Sequence, residues 1–163
     1  MKKSPKLILL VAALLIGLCF HASAVWAEGS SPAQVVKDFT KAYYMLDPSM
    51  ADFLSKDALM NENEVDMVEL YLRLQDTDAY NRGYKTSYLQ MKPILMKTTV
   101  LSMDDSAAQI QINTTNIRSI NPLYRIVGYV FCLLEEHKVQ DTLSLVKEEG
   151  VWKIGPGAFD LPI

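Results

Sequence analysis

The hydrophobic period of this chain changes once, near Tyr88, and that change dictates the class of fold. Before it, apolar residues recur every three or four positions; after it, they alternate with polar ones. Ser31-Pro32 supplies a capping hydroxyl and then a proline whose missing N–H is harmless in a first helical turn. Val35, Val36, Phe39, Ala42, Tyr43 and Leu46 follow as one apolar stripe, and Asp47-Pro48 ends the helix because proline pushes its predecessor out of the helical region. A short second helix is expected over residues 48–54. A third is expected over 62–82, with Val65, Val68, Tyr71, Leu72 and Leu74 on one side and Gly83 placed for a left-handed cap.

Residues 94–103 are rich in β-branched and long apolar side chains, and Asp104-Asp105-Ser106 reads as a turn. Ala108, Ile110 and Ile112 then alternate with Gln109, Gln111 and Asn113. A second hairpin follows: Val139, Leu143 and Leu145 alternate with Gln140, Thr142 and Ser144, and Glu148-Glu149-Gly150 turns the chain into 151–155. Between the hairpins, residues 123–134 are almost wholly apolar. Periodicity alone leaves that segment as helix or strand, and Asn121-Pro122, a cap followed by proline, favours helix. Helices first and antiparallel hairpins later imply an α+β domain whose N-terminal helices cover one face of a strongly curved antiparallel sheet.

The first 27 residues read as an export signal. Lys2, Lys3 and Lys6 precede an apolar run over 7–20, shorter than the roughly 20 residues a bilayer-spanning helix needs. Small residues permit cleavage after Ala24 or after Ala27; the second is preferred and frees Glu28. Leu18 is too large to precede a lipidated cysteine at Cys19. The expectation is a signal peptide over 1–27 and one domain over 28–163, exported to the periplasm or beyond the cell, with no permanent membrane anchor. That domain keeps 13 basic against all 19 acidic residues, a net charge of −6, which disfavours nucleic acid as a partner. Cys132 is its single cysteine, so an internal disulfide is ruled out.

The capped helix with Phe39 and Tyr43, the Asp47-Pro48 break, the hairpin through Asp104-Asp105, and the run from Leu143 through Glu148-Glu149-Gly150 to Trp152-Lys153-Ile154 resemble the nuclear transport factor 2-like (SnoaL-like, cystatin-like cone) superfamily, in particular its small exported bacterial members. The resemblance spans nearly all of 31–160. It implies a bent sheet wrapped around the first helix, with a cavity at the wide end and residues 123–134 inserted near its rim. In members of that superfamily that are isomerases or dehydratases, a carboxylate or histidine in the cavity moves a proton next to a carbonyl.

Asp141 fits such a role by parity, since 139, 141, 143 and 145 share a face; the alternative is a solvated or lysine-paired strand end. His137 has the same parity but lies four residues away, roughly 13 Å along a strand, so the two form no dyad; the expectation places it in a surface loop. His137 and Cys132 do not supply a metal site, and no cofactor is implied. Cys132 is expected in the core. Eight tyrosines suit either ordinary packing or the lining of a cavity for an amphipathic ligand, and Tyr43, Tyr71 and Trp152 are the candidate lining residues. Residues 123–134 are expected to fill the core, the alternative being a lid or an apolar surface for a partner or membrane. Two functions remain: a non-catalytic exported domain binding a small apolar ligand or a protein partner through the open end of the cone, or an isomerase- or dehydratase-like enzyme with Asp141 as general base. A homodimer is compatible with either.

Overall fold

A computed structural model describes residues 30–118 and 122–159. The expected signal peptide and the cap at Asn121 lie outside the described residues. Helix α1, Pro32–Tyr44, begins where Ser31 Oγ accepts from the Gln34 N–H. Its stripe of Val35, Val36, Phe39, Ala42 and Tyr43 is buried as the spacing requires, joined by Thr40 and Tyr44. The helix stops before Asp47-Pro48, because Leu46 takes a left-handed conformation (φ 53°) and the N–H groups of Leu46 and Asp47 bond back to the carbonyls of Tyr43 and Ala42. Asp47 instead caps the following 3-10 turn, Pro48–Phe53.

A one-turn helix α2, Lys56–Leu59, was not apparent in the periodicity; buried Ser55 caps it by accepting from Ala58 N–H. The next helix, α3, covers Met67–Asn81, shorter than the 62–82 expected. The cause is local side-chain bonding: Asn61 Oδ1 accepts from the N–H groups of Asn63 and Val65, and Asp66 Oδ1 from those of Val68 and Glu69, so the helix starts at Asp66. Val68, Tyr71 and Ala79 face the core, while Val65 and Leu74 are exposed. Gly83 (φ 74°) closes the helix as expected.

The sheet is an antiparallel meander, β1 (Met91–Met103), β2 (Ala107–Arg118), β3 (Glu136–Glu148) and β4 (Val151–Ile154), in spatial order β1-β2-β3-β4. Register shifts at Pro93/Leu95 and Val100/Ser102 bend the long edge strand. α1 lies against the inner face of the curve, and Leu54 bridges to Ile154 at the end of β4. Helices before Tyr88 and antiparallel hairpins after it, with one further helix between the hairpins, form the expected α+β arrangement.

Residues 123–134 depart from expectation. They contain a helix, α4 (Pro122–Val130), inserted between β2 and β3 at one end of the sheet, but it does not fill the core. Leu123, Ile126, Val127, Tyr129, Val130, Phe131 and Leu133 are exposed, and so is Cys132, which was expected inside. The reason is geometric: the core is already closed by α1, α3 and the inner sheet face, and α4 contacts the other elements sparsely.

Candidate functional site

The inner face of β2 changes character along its length. Ala108, Ile110 and Ile112 are buried in sequence-alternating positions, and the same alternation continues into Thr114 and Asn116, which are buried and polar. β3 mirrors this, since Leu145 and Leu143 give way to Asp141, Val139 and His137 on the same face. Ile112 pairs with Asp141, Thr114 with Val139, and Asn116 with His137. One end of the interior is therefore aliphatic and the other, nearest α4, is polar.

α1 delivers its aromatic pair to that interior. Tyr43 and Tyr44 are consecutive and both buried, their rings edge to face with centroids 5.5 Å apart. Tyr43 stacks on Tyr71 of α3 at 4.7 Å and 19°, and Phe159 packs against both. Burial pushes the Tyr44 hydroxyl above its usual range, hydrogen bonds from Thr114 and Asn116 partly offset this, and the Asp141 carboxylate adds to the rise. Burial, with the neighbouring Tyr43 and Tyr44 hydroxyls, pushes Tyr71 much further up. Both phenols stay protonated at neutral pH. Each can donate a hydrogen bond without releasing its proton.

Three buried polar atoms of the interior have no partner in hydrogen-bonding geometry among the described residues: Tyr71 Oη, which has only the Tyr43 hydroxyl nearby, Asn116 Oδ1 and Thr40 Oγ1. Asn116 Nδ2 donates to Thr114 Oγ1 at 3.3 Å. A buried acceptor left unmade costs about 1–3 kcal/mol, so each such group is either strain or provision for a ligand.

The structure separates the expected site residues into two groups. Tyr43, Tyr71 and Asp141 belong to one interior region, with Tyr44 as the link. Trp152 does not join them: it pairs with Lys147 at the opposite end of β3, under the Lys147 ammonium, and is buried. Asp141 is half-buried on the inner face and accepts from its neighbour Thr142 N–H at 2.6 Å. His137 lies within β3, half-buried, where a loop was expected, because the strand begins at Glu136. Thr114 and Asn116 were missed, although they continue the alternation of Ala108, Ile110 and Ile112. Among the described residues no three His, Cys, Asp or Glu side chains gather to hold a metal.

The fold and the site together define an α+β domain whose interior is aliphatic at one end and lined with tyrosine, threonine and asparagine at the other. Three solved structures are similar to it. The first is a nuclear transport factor 2-like protein of unknown function from Shewanella oneidensis, at 14% identity over 74% of this chain and 88% of that one, with a TM-score of 0.43. The second, from Xanthomonas campestris, is a candidate calcium/calmodulin-dependent protein kinase II association domain, at 20% identity over 75% of this chain and 79% of that one, with a TM-score of 0.42. The third is a candidate scytalone dehydratase from Novosphingobium aromaticivorans, at 11% identity over 74% of each chain, with a TM-score of 0.42. No family model and no curated protein matches the sequence.

Proposed function

We propose that residues 28–163 form a single exported domain, periplasmic or secreted, that acts without catalysis by binding a small, mostly apolar molecule at the polar end of the inner sheet face. The observation that supports this is the pair of unpartnered buried atoms, Tyr71 Oη and Asn116 Oδ1, beside the stacked rings of Tyr43 and Tyr71. A ligand with an apolar body and one hydroxyl or carbonyl would bury against the rings and satisfy these atoms. The test is mass spectrometry of the natively purified protein for a retained small molecule, with thermal shifts against a panel of hydroxylated and carbonyl-bearing hydrophobes. Binding that Asn116→Ala weakens supports the reading. A protein that neither carries nor takes up such a molecule overturns it, leaving a protein partner as the occupant of the open end.

A second reading, an isomerase- or dehydratase-like enzyme, is favoured by one relationship: the Asp141 carboxylate shares the inner face with Tyr44 closely enough to raise its hydroxyl pKa. A carboxylate base beside a protonated phenol is a pairing that can remove a proton next to a carbonyl and donate a hydrogen bond to the oxygen that gains charge. Exchange of α-protons of a bound ketone into deuterated water, abolished by Asp141→Asn, would establish it. Binding without exchange would dispose of it.

A further inference from the structure

The helix α4 and the turn after it carry a surface that the interior site does not use. Residues 119–134 contain no acid and a single base, Arg125. Among the described residues the tip holds a run of exposed apolar side chains, with Tyr129 79%, Phe131 67% and Leu133 74% exposed. Isolated exposed apolar residues need no explanation, but a contiguous set on one short segment does.

The backbone at this tip is closed on itself. Cys132 adopts a left-handed conformation (φ 54°), its N–H bonds to the Tyr129 carbonyl, and the Leu133 N–H bonds to the Gly128 carbonyl. The Phe131 N–H bonds to the Val127 carbonyl. This is a two-bond cap of the helix C-terminus. A segment whose N–H groups are bonded internally can enter hydrocarbon without stranding donors.

Two occupants compete for such a surface, a folded protein or a lipid layer. A protein interface carries about one hydrogen bond per 100–200 Å², and the exposed tip offers almost no side-chain groups to make them. A hydrocarbon phase asks for none. Beneath the helix lies a groove of about 780 Å³, lined by Ile94, Ile117, Ile126, Val130 and Leu134, with Arg125 and Glu136 on its walls. Arg125 Nε is buried there without a partner among the described residues. One cation and one anion on a single groove match the phosphate and ammonium of a zwitterionic headgroup, whereas an anionic headgroup would face Glu135 and Glu136.

We infer that the α4 tip is a peripheral docking element for a zwitterionic phospholipid surface, with Tyr129, Val130, Phe131 and Leu133 inserted and Arg125 at the phosphate level. The helix has nine residues, and no helix among the described residues is long and apolar enough to cross a membrane, so the tip lies in the interface.

The experiment is flotation of the protein with phosphatidylethanolamine–phosphatidylcholine vesicles and, separately, with phosphatidylglycerol vesicles. Wild type and variants are compared with the same N-terminus, verified by mass, so that any leader contributes equally. Phe131→Asp should reduce binding to the zwitterionic vesicles about tenfold or more. Arg125→Gln should reduce it less, and Tyr80→Ser, at an exposed aromatic residue of α3, should leave it unchanged. Circular dichroism confirms that the variants fold. Equal flotation of wild type and Phe131→Asp, or a dimer in light scattering that Phe131→Asp dissociates while wild type ignores vesicles, overturns the inference.

Discussion

Tyr43 of α1 and Tyr71 of α3 stack with centroids 4.7 Å apart and planes 19° from parallel, and this contact ties the first helix to the third across the interior. Tyr43 is fully buried. Tyr43→Ala should therefore lower unfolding free energy by about 3–5 kcal/mol, the range for buried aromatic truncation, as measured by denaturant titration.

Tyr71→Phe should behave differently. The ring contact survives and a buried hydroxyl without a partner among the described residues disappears. Stability of the ligand-free protein should hold or rise by up to about 1 kcal/mol, since the desolvation penalty of that oxygen is removed. Affinity for a ligand of the proposed kind should fall. A loss of stability in this variant would mean that the hydroxyl is already satisfied, and would remove its support for a binding site.

Alkaline pH should unfold the protein through the same residues. The folded pKa values of Tyr44 and Tyr71 are raised above the ordinary 10.0, so the fold keeps protons that the unfolded chain releases. The stability they contribute is complete below about pH 10 and is lost progressively as pH rises from there towards the folded values. Stability against pH should bend downward above that point, and Tyr71→Phe should flatten the bend. Asp141→Asn should lower the Tyr44 pKa, because the carboxylate that raises it is gone; ultraviolet titration of the phenolates reads this directly.

The β3–β4 turn offers a stabilising change. Glu149 (φ 52°) and Gly150 (φ 84°) are both left-handed, the geometry of a two-residue hairpin loop that favours Asn-Gly. Glu149→Asn should raise the melting temperature, by about 0.5–1 kcal/mol of stability. The ion pair it removes, Lys56 with Glu149 at 3.6 Å, is almost fully exposed and contributes little.

Much of the fold was legible because local chemistry and tertiary packing agree. Ser31-Pro32 starts a helix, Gly83 ends one, and Asp104 turns the first hairpin by accepting from the Ser106 and Ala107 N–H groups. Where they part, the reading slipped. The start of α3 is displaced by the Asn61 and Asp66 side chains, whose competition with helix the apolar period does not register. The apolar run 123–134 showed its helix through Asn121-Pro122 but not its exposure, since hydrophobicity is the same whether a segment faces a core or an external apolar phase. Parity placed Asp141 on the inner face, where it lies, but nothing in the sequence separated Trp152 from Tyr43 and Tyr71, and Trp152 sits at the opposite end of β3. Thr114 and Asn116 are ordinary residues until the strand is seen to carry them inside.

The division of β2 into an aliphatic half and a polar half has a further consequence. Ala108, Ile110 and Ile112 pack with Leu143 and Leu145 in the core, whereas Thr114 and Asn116 carry polar groups inward opposite Val139 and His137. A strand built this way keeps its register through one half while the other half is open to a change of polarity, so related chains could diverge in the chemistry of that pole while the sheet pairing persists.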